Sequence, residues 1–198
     1  IVVWGEQGLG DQILFASVYA EVIAAAKQCV IECAPKLVPL FAHSFRDAIV
    51  VAIGDQTAAS LSSAADYQVA AGTAARWLRP NLDAFPPAAA SLRADPHRVA
   101  YWRRHLDSLG GARKVGICWR SSNRSGMRAH ACTDIVQWRD VFAVEGIQFV
   151  NLQYDRCEAE LARARSLFGA RIHTTSGVDL FDDLLETSAL MSALDLVV

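Results

Sequence analysis

Apolar residues fall in short bursts, separated by stretches in which they recur at helical spacing, and the two kinds of segment alternate along most of the chain. Ile1 to Trp4 is an apolar run that ends at a glycine-rich turn. From Gln12 to Lys27 the positions Ile13, Leu14, Val18, Val22 and Ile23 repeat every three to five residues, which puts them on one helical face. The same reading predicts a strand over 29–33, a helix over 35–45 and a strand over 48–53. Pro35 suits the start of its helix, where the missing N–H has no partner to lose. A weaker helical stretch over 57–65 precedes a strand over 67–71. Strand–helix–strand order at this spacing predicts a parallel sheet covered on both faces.

Residues 80–96 interrupt the alternation. Pro80, Pro86, Pro87 and Pro96 stand among Asn81, Asp83 and Asp95, a composition that breaks regular structure. A helix follows over 97–109, stopped by Gly110-Gly111, and the alternation restarts with a strand over 114–119. Helices near 134–144, 158–168 and 180–192 then alternate with strands over 147–153, 171–174 and 194–198. The fold class this predicts is α/β, with two such units joined by a Pro-rich link and a helix. The first spans residues 1–109 and includes the Pro-rich link. The second spans 113–198 and is incomplete.

Composition narrows the picture. Hydrophobic residues make up 53% of the 198, enough for a real core, and the 20% that are charged supply a solvated surface. A formal net charge of −2 leaves no whole-chain field to attract nucleic acid or an anionic membrane. The five cysteines are odd in number and form no CxxC, so buried thiols are expected rather than disulfides or a zinc site. That suits a cytoplasmic protein. No apolar run reaches the ~20 residues of a membrane span, and the N-terminus lacks the basic region of a signal peptide. The chain begins without methionine and stops inside a strand-like run, so a fragment of a longer protein is expected.

Two loops invite chemistry, because ligands of open α/β sheets bind beyond the carboxyl ends of strands. The first is Gly5-Glu-Gln-Gly-Leu-Gly-Asp11. It has Gly8 and Gly10 but lacks the third glycine of a dinucleotide fingerprint, and no Lys-Ser/Thr follows as in a phosphate-binding loop. Glu6 and Asp11 stand where a phosphate would sit, and a carboxylate competes with an anion for the same N–H groups. The loop therefore suits an acceptor hydroxyl, with Asp11 as general base and Gly8, Gly10 and Gln12 around it. The alternative is a plain helix cap. The second loop, Trp119-Arg-Ser-Ser-Asn-Arg-Ser-Gly-Met-Arg128, has the opposite character. Ser121 and Ser122 offer hydroxyls, and Arg120, Arg124 and Arg128 offer guanidinium groups that engage phosphate oxygens in pairs. The alternative is a solvated polar loop. Gln153-Tyr154-Asp155 follows a later strand and could touch a base or ribose, or simply turn the chain. The five histidines show no ligand spacing and no DxD occurs, so no metal is expected.

Trp4-Gly-Glu-Gln-Gly-Leu-Gly-Asp-Gln-Ile-Leu-Phe-Ala16 resembles the opening of a glycosyltransferase domain found behind tetratricopeptide repeats in bacterial proteins. That domain is similar to heptosyltransferases and, more distantly, to O-linked N-acetylglucosamine transferases. The segments 81–86, 91–96, 115–121, 149–154 and 193–198 continue the resemblance along the chain. It implies the GT-B architecture, two Rossmann-like domains facing across a cleft with the acceptor side first and the donor side second. It also implies inverting transfer without a metal, with a nucleotide-sugar as co-substrate and no other cofactor. Asp11 matches the catalytic base of the GxGD loop. Trp119, Arg120, Ser121, Ser122, Arg124, Arg128, Gln153 and Tyr154 fall in the donor-binding region, though the lysine often used there has no counterpart. The family continues with an Asp-Thr…His…Gly-Ala segment that lies beyond Val198. The implied acceptor is a protein such as flagellin, or a lipopolysaccharide-type glycan, with tetratricopeptide repeats fused on the N-terminal side. A non-catalytic sugar- or nucleotide-binding module is the alternative function. A dehydrogenase on a similar sheet is disfavoured by the missing glycine and the acidic loop.

Overall fold

A computed structural model describes residues 1–86, 91–110, 113–123, 126, 130 and 132–198. The chain divides into two compact units, Ile1–Ala94 and Asp95–Val198.

The first unit is a four-stranded sheet with strand order β3-β2-β1-β4, built from β1 (Val2–Trp4), β2 (Val30–Cys33), β3 (Ile49–Ala52) and β4 (Gln68–Ala70). Every pairing is parallel, with Val3 opposite Ile31 on one side and Val69 on the other. Val2 and Val3 point to opposite faces, and both are buried, as a doubly covered parallel sheet requires. The helices between strands are α1 (Leu9–Phe15), α2 (Tyr19–Ala25), α3 (Val38–Ser44), α4 (Gln56–Ser63) and α5 (Ala71–Leu78). A 3-10 turn at Ala16–Val18 splits the single helix expected over 12–27 into α1 and α2. On one face of the sheet Val2, Val30 and Val51 form a core cluster with Ala58 of α4. Tyr19, Phe41 and Phe45 form an aromatic cluster with ring centroids 5.5–5.8 Å apart, Phe41 meeting each of the other two edge-on.

The second unit repeats the plan. Strands β5 (Arg113–Ile117), β6 (Ile147–Asn151), β7 (Ile172–His173) and β8 (Leu196–Val197) form a parallel sheet of order β7-β6-β5-β8. Its helices are α6 (Pro96–Asp107), α7 (Arg139–Phe142), α8 (Glu158–Phe168) and α9 (Leu184–Ser192). Val115, Ile117, Trp119, Ile135, Phe149, Leu161, Ala164 and Ile172 make one continuous core. Each large apolar side chain buried there is worth about 1.5–3 kcal/mol. Helix α8 begins with Glu158 and Glu160 and stops at Gly169, whose φ of +63° makes the left-handed cap that favours glycine.

Helix α6 groups with the second unit, whereas the sequence reading places it in the first domain and sets the boundary near 109–113. The reason lies in its contacts. Asp95 caps its start by accepting from His97 N at 2.8 Å, and the helix buries Trp102 and Leu106 where it packs on α9, which buries Ala189 and Leu190. Glu186 of α9 accepts from Arg98 Nε at 2.9 Å and from Trp102 Nε1 at 2.7 Å.

Candidate functional site

In both sheets the order reverses beside the first strand: β1 lies between β2 and β4, and β5 between β6 and β8. The crevice outside the carboxyl ends of these strands is where doubly wound folds take their ligands. The glycine-rich loop leaves β1 at this point, and the loop that begins at Cys118 leaves β5 at the equivalent one.

The first loop is fixed at each of its turns. Gly5 N donates to Glu32 O at 2.7 Å. A Cβ at Gly5 would lie 2.7 Å from Gln12 Oε1 and 3.0 Å from Glu32 O, so any side chain there would force its neighbours to shift. Gln12 is buried, and its Oε1 accepts from Ala34 N at 2.9 Å, which ties α1 to the end of β2. Gln7 takes φ +63°, the one non-glycine residue in the left-handed region among those described. Such strain persists only where the surroundings fix it, and it concentrates at functional sites. Asp11 sits at the third position of α1, where its Oδ2 accepts from the N-cap Gly8 N at 3.0 Å. Open space lies over Gly10, with nothing within 4 Å of a Cβ built there. Gly8, Gly10, Asp11 and Gln12 are therefore together on one short helical entry, with Gln12 as its buried support.

Glu6, part of the loop's acidic character in the sequence, has a definite place. Its Oε1 accepts from Gly72 N at 2.9 Å, so the carboxylate caps α5 across the crevice from β1 to β4. Helix α5 itself is absent from the sequence-based expectations, because Ala71-Gly-Thr-Ala-Ala75 carries no large apolar residue to show a helical period.

The second loop sorts its residues into supports and exposed groups. Trp119 belongs to the core and is 3% exposed; its Nε1 is buried without a hydrogen-bond partner among the described residues. Arg120 is buried to 6% exposure. Its Nε donates to Glu160 at 2.9 Å, its Nη1 to Asp155 at 2.7 Å and its Nη2 to Arg156 O at 3.0 Å. Glu160 above all, then Asp155, hold the guanidinium in its charged form more firmly than usual. Burial raises the Asp155 carboxyl, but Arg120 and Gln153 outweigh it and leave the group below the usual carboxylate range. Arg120 is expected in the sequence to meet phosphate; in the structure its donors are engaged by two carboxylates and a carbonyl. Gln153 is also a support, since its buried Nε2 donates to Arg120 O at 3.0 Å and to Asp155 Oδ1 at 2.9 Å.

Ser121, Ser122 and Tyr154 remain accessible and come together. The Tyr154 hydroxyl accepts from Ser122 N at 3.0 Å and lies 3.4 Å from Ser121 Oγ. Tyr154 stacks on Phe181 with centroids 6.0 Å apart. Arg124 and Arg128 lie outside the described residues. Beside Tyr154 a groove of about 430 Å³ opens beyond the ends of β6 and β7, lined by Asn151, Gln153, Thr174, Thr175, Val178 and Leu180 among others. Thr175 has no signal in the sequence, yet it is 9% exposed and its Oγ1 has no partner among the described residues. A buried hydroxyl without a partner in a polar groove marks a position that a ligand could satisfy.

All five cysteines are free thiols; Cys29, Cys33 and Cys157 are buried. Among the described residues no three His, Cys, Asp or Glu side chains converge as a metal-binding group. No described helix is long and apolar enough to cross a membrane.

The chain is 35% identical to protein FlbA of Caulobacter vibrioides over 213 aligned residues. The alignment takes in 100% of this chain and 35% of FlbA. The chain thus spans about a third of that relative's length. No protein-family model matches the chain, and no solved structure does.

Proposed function

We propose that the chain is part of an inverting, metal-independent glycosyltransferase that moves a sugar from a nucleotide-sugar to a hydroxyl acceptor. The observation that carries the reading is the opposite character of two equivalent loops. Both sheets have the order 3-2-1-4, and both loops leave the central strand at the reversal. The first presents carboxylates, Glu6 and Asp11, against phosphate binding. The second presents Ser121, Ser122 and Tyr154 next to a polar groove of nucleoside size.

In this reading the two units are the acceptor and donor halves of a GT-B enzyme. Asp11 takes the proton from the acceptor hydroxyl, releasing its bond to Gly8 N as it does so. The acceptor oxygen attacks the sugar's anomeric carbon from the face opposite the nucleotide, and the bond to the phosphate oxygen breaks with inversion. Ser121, Ser122 and the backbone of their loop receive the departing phosphate. Because Arg120 is held by Asp155 and Glu160, the cationic share of that task passes to Arg124 and Arg128. The nucleoside lies over the groove, with Tyr154 and Thr175 as hydrogen-bonding groups. The location consistent with free thiols and a nucleotide-sugar supply is the cytoplasm, and the acceptor is a protein or a glycan.

The test is nucleotide release from a panel of UDP-, GDP-, ADP- and CMP-sugars. Release with one of them, abolished in Asp11→Asn, supports the proposal. A second reading has its own observation: Asp11 caps Gly8 N, as a purely structural aspartate would. A non-catalytic nucleotide-binding module would bind one of these donors in calorimetry and turn over none.

A further inference from the structure

Glu6 leaves the glycine-rich loop and crosses the point where the first sheet's strand order reverses. Its Oε1 accepts from the backbone N of Gly72, the second residue of α5. A Cβ at Gly72 would lie 2.6 Å from Glu6 Oε1 and 3.1 Å from the Phe15 ring, so the bare backbone at 72 is what admits the carboxylate. In an open parallel sheet, the negative group of a ligand would meet the backbone N–H donors of a helix here. In this chain the position already holds an internal carboxylate. Asp11 adds a second negative charge on the same loop, and among the described residues neither Glu6 nor Asp11 has a cationic partner.

We propose that Glu6 is a specificity-determining residue: it stands in for an anion at the first unit's crevice and restricts what enters to neutral or cationic groups. The start of α5 is therefore taken, and is not a ligand site of the native protein. For a hydroxyl acceptor this selects molecules with no phosphate or carboxylate beside the reacting hydroxyl. That last step rests on the proposed transfer reaction. The exclusion of anions rests on the charge and the Glu6–Gly72 bond alone, so the two can fail separately.

The probe is inorganic phosphate, titrated by calorimetry at constant ionic strength into the native protein, Glu6→Ala and Glu6→Gln. Glu6→Ala removes both the charge and the oxygen that occupies Gly72 N. It is expected to bind phosphate about tenfold more tightly than the native protein, the scale of a charge at a helix start. Glu6→Gln keeps an oxygen for Gly72 N and loses only the charge, so its affinity falls between the two. Should Glu6→Ala fail to fold, the Gln variant decides: tighter phosphate binding than native supports the proposal. Equal phosphate affinity in the native protein and the folded variants overturns it. Where transfer is detected, the native preference for a neutral over a phosphorylated acceptor in kcat/KM should shrink about tenfold in Glu6→Gln; an unchanged preference overturns the selectivity claim. Absence of transfer with every donor defeats the transferase reading and leaves the phosphate titration to judge Glu6.

Discussion

Replacing Arg120 by methionine separates a structural cation from a ligand-binding one. The side chain of Arg120 is 3% exposed, while those of Asp155 and Glu160 are each 28% exposed. Methionine keeps most of the volume and leaves two carboxylates facing each other without their shared counter-charge. Removing one partner of a fully buried ion pair costs 3–5 kcal/mol. Water reaches the carboxylates here, so the lower end applies, about 3 kcal/mol. For a unit of this size that is a fall in melting temperature of roughly 10–20 °C. Arg120→Lys should lose about half as much, because an ammonium cannot serve both carboxylates with a planar fork. The pH dependence gives a second check. The folded-state pKa of Asp155 is held down, so its stabilising contribution is full above the unfolded value of ~3.9 and is lost as pH falls through the folded one. The gap between native and Arg120→Met should therefore narrow below pH ~4. Guanidinium unfolding followed by far-UV circular dichroism measures all of this. A loss under ~1 kcal/mol at neutral pH would show that the cluster is solvated and worth little. Unchanged stability with weakened nucleotide binding would show that Arg120 is a ligand group after all.

Two further outcomes follow from close contacts and from titration. Gly5→Ala drives a Cβ against Gln12 Oε1 and Glu32 O and should cost about 2 kcal/mol, while Gly10→Ala meets nothing and, lying inside α1, should add ~0.5–1 kcal/mol. Thermal melts of both variants check the contrast, and equal effects would contradict the packing described for the loop. Burial first and the neighbouring His105 second push His173 below its ordinary 6.5, and the Nε2 atoms of both rings are buried without partners among the described residues. The unfolded chain therefore takes up a proton that the folded chain refuses, so stability is full above pH ~6.5 and declines as pH falls below it. His173→Phe should flatten the decline in denaturation midpoints between pH ~7 and ~5.5, and an unaltered slope would refute that assignment.

The α/β alternation was legible because each strand is a short β-branched or apolar run, and most helices carry large apolar residues at regular spacing. Helix α5 was not, since its buried positions Ala71 and Ala74 are too small to register as a period. The placement of α6 was equally hidden. Its attachment depends on Glu186 reaching Arg98 and Trp102 more than 80 residues away, and no local pattern encodes that. At the candidate site, the sequence marked the two loops that follow β1 and β5 but could not rank their residues. Arg120 and Trp119 read like Ser121 and Ser122 along the chain. Only the fold shows that the first two are turned inward, Trp119 into the core and Arg120 onto the carboxylates of Asp155 and Glu160, and the last two outward. Glu6 was legible as a charge and not as a cap, because its partner Gly72 lies 66 residues further on. Thr175 was invisible, being defined by the lack of a partner in three dimensions.

The central claim is sugar transfer with Asp11 as base, and one measurement meets it directly. Purified protein is incubated with each nucleotide-sugar and a hydroxyl acceptor pool, and released nucleotide is quantified alongside the same assay on Asp11→Asn, with circular dichroism confirming that the variant is folded. Release from one donor is expected, with a fall of at least about a hundredfold in the variant, the scale of losing a general base. Unchanged release in folded Asp11→Asn, or no release from any donor, would contradict it.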